Sequence, residues 1–173
     1  KMSVGKALCD LKGYRLFYNH MTIDPILPFF EFGSPPFKRL LKNFRIQILE
    51  EIANSDLPGV VFTVVWDFDS EGDNRNIRSY IKTFEDRGAP VYFAELKAPL
   101  SERLVRNRHP DRLAVKPTKR DVEKSEKHLL HDEEECRMNS NGDFPFPDRH
   151  VCIDNTNLPP VETAKEIIRF FNL

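Results

Sequence analysis

The sequence predicts an α/β fold, a mostly parallel sheet sandwiched in a three-layer α/β/α arrangement, and three observations carry that prediction. Stretches with strand character and stretches with helical periodicity alternate along the chain. The run Val60-Val61-Phe62-Thr63-Val64-Val65-Trp66 is almost continuously β-branched and aromatic, the pattern of a central parallel strand covered on both faces. Residues 2–12 place Val4, Ala7, Leu8 and Leu11 at i, i+3, i+4 and i+7, one buried helical face, and Gly13 supplies a left-handed stop.

The remaining elements follow in order. Arg15-Leu16-Phe17-Tyr18 is a short strand that runs into the polar cluster Asn19-His20-Met21-Thr22-Ile23-Asp24. After a stretch rich in proline and phenylalanine at 25–37 comes a helix over 37–53, with Leu40, Leu41, Phe44, Ile48 and Ile52 as its apolar face. The strand at 60–66 ends at Asp67-Phe68-Asp69, and a helix over 74–87 is closed by Gly88. A strand over 91–96, helices over 100–106 and 119–136, a strand over 150–153 and a helix over 161–171, introduced by Pro159-Pro160, complete the order.

Composition bounds the function classes. With 173 residues, 40% hydrophobic, 31% charged and a net charge of −1, the chain reads as one compact domain over 1–173. No apolar run approaches the ~20 residues that span a bilayer, so no membrane partner is expected. Cys9, Cys136 and Cys152 are odd in number and share no C-x-x-C spacing, which points to reduced thiols and a cytoplasmic setting.

The start of the chain carries the strongest chemical signal. Lys1-Met2-Ser3-Val4-Gly5-Lys6-Ala7-Leu8 reads as the second half of the phosphate-binding pattern G-x-x-x-x-G-K-[ST]. Taking Gly5-Lys6 as the Gly-Lys pair puts Ala7 where a hydroxyl should hold magnesium, and leaves only 8–12 as helix. Taking Lys1 as the phosphate lysine leaves a full helix over 2–12, with the first strand and most of the phosphate loop upstream of residue 1. An amphipathic helix that merely begins with lysine accounts for the same residues. Ligands of parallel sheets bind at the carboxyl ends of strands, where Asp24, Asp67, Asp69 and Asp154-Asn155-Thr156 fall. Acids and amides also cap turns at such places.

Taken together, the residues resemble the P-loop kinases of small molecules and nucleotides, the group of shikimate, gluconate and adenylate kinases. Nearly end to end, the chain is similar to bacterial shikimate-kinase-like or "AAA family ATPase" proteins. The segments that carry this are 1–5, 19–24, Phe29-Phe30-Glu31-Phe32-Gly33-Ser34-Pro35-Pro36-Phe37, Lys116-Pro117-Thr118-Lys119-Arg120-Asp121, Asn139-Ser140-Asn141 and Ile153-Asp154-Asn155-Thr156-Asn157. The resemblance implies ATP bound with Lys1 on the β/γ-phosphates and the backbone N–H groups of Met2 and Ser3 beside it. It implies Asp24 as the carboxylate that orients or deprotonates an acceptor hydroxyl, and Asp67 near Mg²⁺. Met2 departs from the Ser or Thr that usually follows the lysine, which leaves Ser3 as the hydroxyl available to the metal. Asn155 and Thr156 would border the base.

Arg103, Arg106, Arg108, Arg112, Lys116, Lys119 and Arg120 fall within eighteen residues, relieved by Asp111. A charge run is commonly a solvated face. Here His109-Pro110 and Lys116-Pro117 interrupt helix, and in kinases of this kind such a segment, 103–121, is a mobile lid that closes over phosphates. Arg106, Arg108 and Arg112 are the expected phosphate contacts, with Arg106 alternatively stacked on an adenine. His20 beside Asp24 is an expected acceptor-binding residue. Phe29, Phe30, Phe32 and Phe37 are expected to combine core packing with the wall of an acceptor pocket, Phe32 being the substrate contact. His128-Leu129-Leu130-His131 with the acids up to Cys136 reads as an acidic, solvent-facing helix with both leucines buried.

The expected activity is ATP- and Mg²⁺-dependent phosphoryl transfer to a small-molecule acceptor, by a monomer or homodimer. A nucleotide-binding ATPase or switch without an acceptor, and a nucleoside or nucleotide kinase, are the alternatives. Nucleic acid is not an expected partner, because the rest of the chain is not basic.

Overall fold

A computed structural model describes residues 1–116 and 119–173, with Asp111 described for its backbone only. The expected Lys116-Pro117 interruption of the lid therefore falls partly outside the described residues. The order of elements is α1 (Met2–Lys12), β1 (Arg15–Tyr18), α2 (His20–Ile23), α3 (Pro35–Ala53), β2 (Val60–Thr63), α4 (Glu71–Glu85), β3 (Phe93–Lys97), α5 (Leu100–Asn107), α6 (Pro110–Val115), α7 (Val122–Glu135), β4 (His150–Asp154) and α8 (Pro160–Phe171).

The fold is mixed α/β with short parallel sheets. β1 pairs with β2 in parallel, Phe17 opposite Phe62, and β3 pairs with β4 in parallel, Glu95 opposite Cys152. Helices lie against both faces of these pairs. On one face α1 and α8 bury Val4, Leu8, Ala164 and Ile167 against Val61, Leu96 and Val151. On the other, Leu49 of α3 and Ile77, Tyr80 and Ile81 of α4 pack with Phe62, Trp66, Phe93 and Phe144. Alternation along β2 delivers Val61 to the first layer and Val60 and Phe62 to the second.

Local chemistry fixes where elements start and stop. Gly13 ends α1 at φ 70°, its N–H returned to Cys9 O at 2.8 Å. Gly5 is buried inside α1, and a Cβ there would meet Leu16 Cδ1 at 2.9 Å, so a side chain of one hydrogen lets α1 lie close on β1 and β2. Ser70 caps α4 by accepting from Asp73 N, with Glu71 and Asp73 in the positive first turn. Asp121 caps α7 through Lys124 N at 3.0 Å. Asn74 accepts from Trp66 Nε1 at 2.8 Å and donates to Phe68 O, pinning the loop after β2.

Several expectations are corrected. Leu11 is exposed, because the sheet-facing side of α1 centres on Val4, Gly5 and Leu8 and Leu11 lies at the end beyond the strands. In α3 the buried positions are Phe37 and Leu49, and Leu40 and Phe44 lie outside the stripe. The strand expected over 60–66 is paired only over Val60–Thr63, since its partner β1 stops at Tyr18 where the chain turns into α2. The helix before β3 starts at Glu71 instead of Asn74, drawn back by the Ser70 cap. The helix expected over 119–136 begins only after its Asp121 cap. Leu130 is exposed on α7.

Between β2 and β3 runs a cavity of about 650 Å³, lined by both strands and by α1, α4 and α8.

Candidate functional site

The site is built at the head of α1. No side chain caps its first turn, which leaves the leading N–H groups of Met2, Ser3 and Val4 directed out of the helix. Lys1 is exposed as a residue, yet its Nζ turns inward to donate to Val64 O at 2.9 Å, just past the end of β2. Burial of that ammonium and the charge of Arg103 lower its pKa, against the pull of Glu95 and Asp132.

A second wall comes from α6 and the residues after it. Burial lowers the Arg112 pKa, and its Nε is buried without a hydrogen-bond partner. Lys116 is pushed down to about 8, by burial first and then by Arg112, Lys119 and Lys1, with Asp24 opposing. Lys119 is lowered by burial and by Arg112, with Asp132 and Asp24 opposing. Four cations thus gather in one place, each with its pKa lowered first by burial, while Asp24, Asp132 and Glu95 oppose the shifts of the lysines. Half-buried cations gathered in this way suit an anion.

The third wall is α2. His20 Nδ1 and Asp24 Oδ1 lie 2.9 Å apart, one helical turn from each other. Burial lowers the His20 pKa; the Asp24 hydrogen bond opposes this, and Lys116 and Lys119 reinforce it, so the ring is neutral near pH 7. Arg45 of α3 secures this turn: its Nε donates to Thr22 Oγ1 at 3.0 Å and its Nη2 to Asn19 Oδ1. Thr22 is fully buried and its hydroxyl also donates to Asn19 O.

The expected residues therefore divide. Lys1, Asp24, His20 and Arg112 come together, with Met2 and Ser3 in the adjoining first turn of α1. Arg106 joins Asn155 and Thr156: its Nη2 donates to Asn155 O at 2.8 Å and Thr156 O at 3.0 Å, and its Nε to Glu102 at 2.7 Å. Thr156 N and Oγ1 both donate to Asp154 Oδ1, which shapes the turn after β4. Arg108 lies elsewhere, on the surface, with Nε and Nη2 both on the Glu126 carboxylate of α7. Phe32 is 69% exposed and tilts on buried Phe37, so it borders the α2 region as a rim, and Phe29 is more exposed still. Asp67 uses Oδ1 to accept from Asp69 N and Arg137 N, both at 3.1 Å, and shapes the loop after β2.

Sequence reasoning noted Lys116 and Lys119 without giving them a role, and passed over three other features. Asp132 on α7 faces the cluster and partly balances Lys1 and Lys119. Arg103 reaches Glu133 on the same helix. Glu95, a carboxylate inside a strand pattern, pairs with His150 Nε2 at 3.1 Å and accepts from Ser140 N at 3.0 Å. A charged residue at a covered strand position was the signal available for Glu95. Among the described residues no group of three or more His, Cys, Asp or Glu could hold a metal by protein ligands alone, and no helix is long and apolar enough to cross a membrane.

No protein-family model matches the chain, and no curated protein matches it significantly. Among solved structures, the tunicamycin resistance protein of Deinococcus radiodurans is similar, with a TM-score of 0.52 and 17% sequence identity over 98% of this chain and 90% of that one. At that identity the likeness concerns the fold: the whole of the chain follows an architecture already seen in a protein of comparable length.

Proposed function

We propose that the chain is an ATP-dependent phosphotransferase that moves the γ-phosphoryl group in line onto a hydroxyl or phosphate of a small-molecule acceptor, within a three-layer P-loop arrangement. The observation that carries this reading is the meeting of Lys1, Arg112, Lys116 and Lys119 with the His20–Asp24 pair at the head of α1. Clustered cations suit a polyanion, and a carboxylate on the adjoining turn suits the acceptor that receives its terminal group.

In this mechanism Lys1 and the N–H groups of Met2 and Ser3 take the β/γ-phosphates. Arg112, Lys116 and Lys119 stabilise the charge that shifts during transfer, and within segment 103–121 the part beyond the arginines anchored on Glu133, Asn155 and Glu126 acts as the lid that excludes water. Asp24 accepts the proton of the acceptor hydroxyl, and neutral His20 fixes the carboxylate by hydrogen bonding. Arg106, tied to Asn155 and Thr156, borders the base. Arg108, committed to Glu126, braces α7. Mg²⁺ takes one or two carboxylates besides phosphate oxygens and water; Asp67 and Ser3 are the residues that would hold it, and bound there it would neutralise phosphate charge. The three free thiols are compatible with a cytoplasmic setting.

Calorimetric titration with ATP, with and without Mg²⁺, next to the Lys1→Ala variant, tests the reading. Micromolar binding that Lys1→Ala weakens by about tenfold or more is the expected result. Absence of binding to the intact chain removes it. A second reading, a nucleotide switch without an acceptor, is favoured by Met2 at the position where a metal-binding hydroxyl is usual. A nucleoside or nucleotide kinase differs only in its acceptor. ADP release that accelerates with sugar-like hydroxy acids, with nucleosides or with neither separates the three.

A further inference from the structure

The loop between α2 and α3 turns phenylalanines outward from a firm base. Ile23, Ile26 and Phe37 are buried together beneath it. Phe29 N and Phe30 N donate to Ile26 O at 3.1 and 3.2 Å, and Ser34 N donates to Glu31 O at 3.1 Å, so backbone bonds hold the turns. From that base Phe29 stands 77% exposed and Phe32 69% exposed, with Phe30 exposed between them. Leu40 and Phe44 extend the apolar surface along α3. Leu40 lies one turn beyond Phe37, on which Phe32 rests, and Phe44 one turn beyond Leu40. Single exposed apolar residues are ordinary, whereas a run of them on one short stretch marks a contact surface.

Charge around this surface is one-sided. Lys38, Arg39 and Lys42 are exposed in the first two turns of α3, whose first turn holds no acid. Cations there oppose the helix dipole, which favours negative charge at its N-terminal end. Elsewhere on the surface Arg75, Lys82 and Lys165 each lie on an acid about a turn away, Glu71, Asp86 and Glu162. Among the described residues Lys38, Arg39 and Lys42 have no such partner. Glu31 is the one acid between Pro25 and Phe44.

We propose that this loop and the head of α3 dock on an anionic lipid surface, Phe29, Phe30 and Phe32 entering the acyl boundary and Lys38, Arg39 and Lys42 meeting the headgroups. A projecting apolar tip beside unpaired cations matches such an interface in both hydrophobicity and sign of charge. A second copy meeting the tip face to face would set the same cations against one another. Surface docking asks for no spanning helix, and among the described residues no helix is long and apolar enough to cross a bilayer.

Flotation with lipid vesicles tests the proposal. Vesicles one-third phosphatidylglycerol should retain the chain, and pure phosphatidylcholine should bind it roughly 100-fold more weakly. Replacing the three cations together, Lys38→Gln, Arg39→Gln and Lys42→Gln, should abolish that preference. Phe29→Ala with Phe32→Ala should weaken binding to the anionic vesicles by roughly 100-fold or more. Because Phe32 also rests on Phe37, a second readout leaves that contact intact: the indole introduced by Phe29→Trp should be quenched by lipid brominated on its acyl chains, while buried Trp66 is not. No flotation at millimolar lipid, binding that the phenylalanine pair leaves unchanged, or an unquenched indole overturns the proposal. So does a dimer, in place of vesicle binding, that the phenylalanine pair dissolves, which would make a second copy the occupant. Retention on an acidic polypeptide that anionic vesicles fail to displace overturns it in favour of a protein. No nucleotide enters the experiment, so its failure and that of the phosphotransferase reading are separate events.

Discussion

The basic segment from Arg103 to Lys119 has two halves that use like charge in opposite ways. In the outer half Arg103, Arg106 and Arg108 each meet a carboxylate, Glu133, Glu102 and Glu126, and so tie α5 to α7 and to the turn after β4. Glu126 raises the Arg108 pKa. In the inner half Arg112, Lys116 and Lys119 are half-buried beside one another, and all three are lowered. Whether a charge run is scaffold or site is decided by how many carboxylates reach it, which no count of arginines reveals.

That contrast can be broken most sharply at the acceptor side. Asp24→Asn should leave ATP affinity nearly intact and slow acceptor-dependent ADP release by about 10²–10⁴-fold. A matching loss of affinity would instead make Asp24 part of the cluster's own support. Next in size, removing Arg112 and Lys116 together should raise the ATP dissociation constant by roughly 10–100-fold, with each lost charge-assisted hydrogen bond worth about 1.5–3 kcal/mol. The same double variant should not lower the thermal midpoint, because it relieves repulsion, whereas Arg103→Ala should lower it by breaking the link to α7.

The pH dependence is subtler. Lys116 titrates at about 8 in the folded chain against 10.5 when unfolded. Between those values the unfolded chain holds the extra proton, so this group's contribution to stability rises with pH across the window. ATP affinity should move the other way, falling above about pH 8 as the ammonium is lost. Denaturant midpoints and calorimetry from pH 7 to 9.5 should diverge accordingly, and Lys116→Met should flatten both curves. The smallest effect belongs to Arg108→Ala: unchanged ATP binding, with faster amide exchange in α7. Weakened binding would return Arg108 to the phosphate.

Periodicity made most of the fold legible. α1, β1, β4 and α8 appear within a residue or so of their expected bounds, because hydrophobic spacing and the Gly13 and Pro160 signals are local. The four-residue α2 and six-residue α6 went unseen, being too short to show a period. Leu40 and Phe44 fit a helical stripe as well as buried Phe37 and Leu49 do, and the positions of α4 over Leu49 and of Ile23 and Ile26 over Phe37 decide which residues are covered. At the site, Lys1, Asp24 and Arg112 could be read from motif and strand-end position. The separation of Arg108 from Arg112 could not, because it depends on α7 bringing Glu126 to one and not the other.

Gly5 turns a missing methyl into a length standard. α1 rests on the sheet through a hydrogen atom, with Val61 Cγ1 only 3.3 Å and Leu16 Cδ1 2.9 Å from where a Cβ would stand. Alanine there would act as a shim beneath one end of a beam: the neighbours give by a few tenths of an ångström, and the beam's tip moves with them. That tip is Lys1. The altitude at which its charge hangs over the ends of the strands is therefore gauged by a residue that makes no contact with any ligand, and a chain that changed it would keep every charged group while losing their calibration.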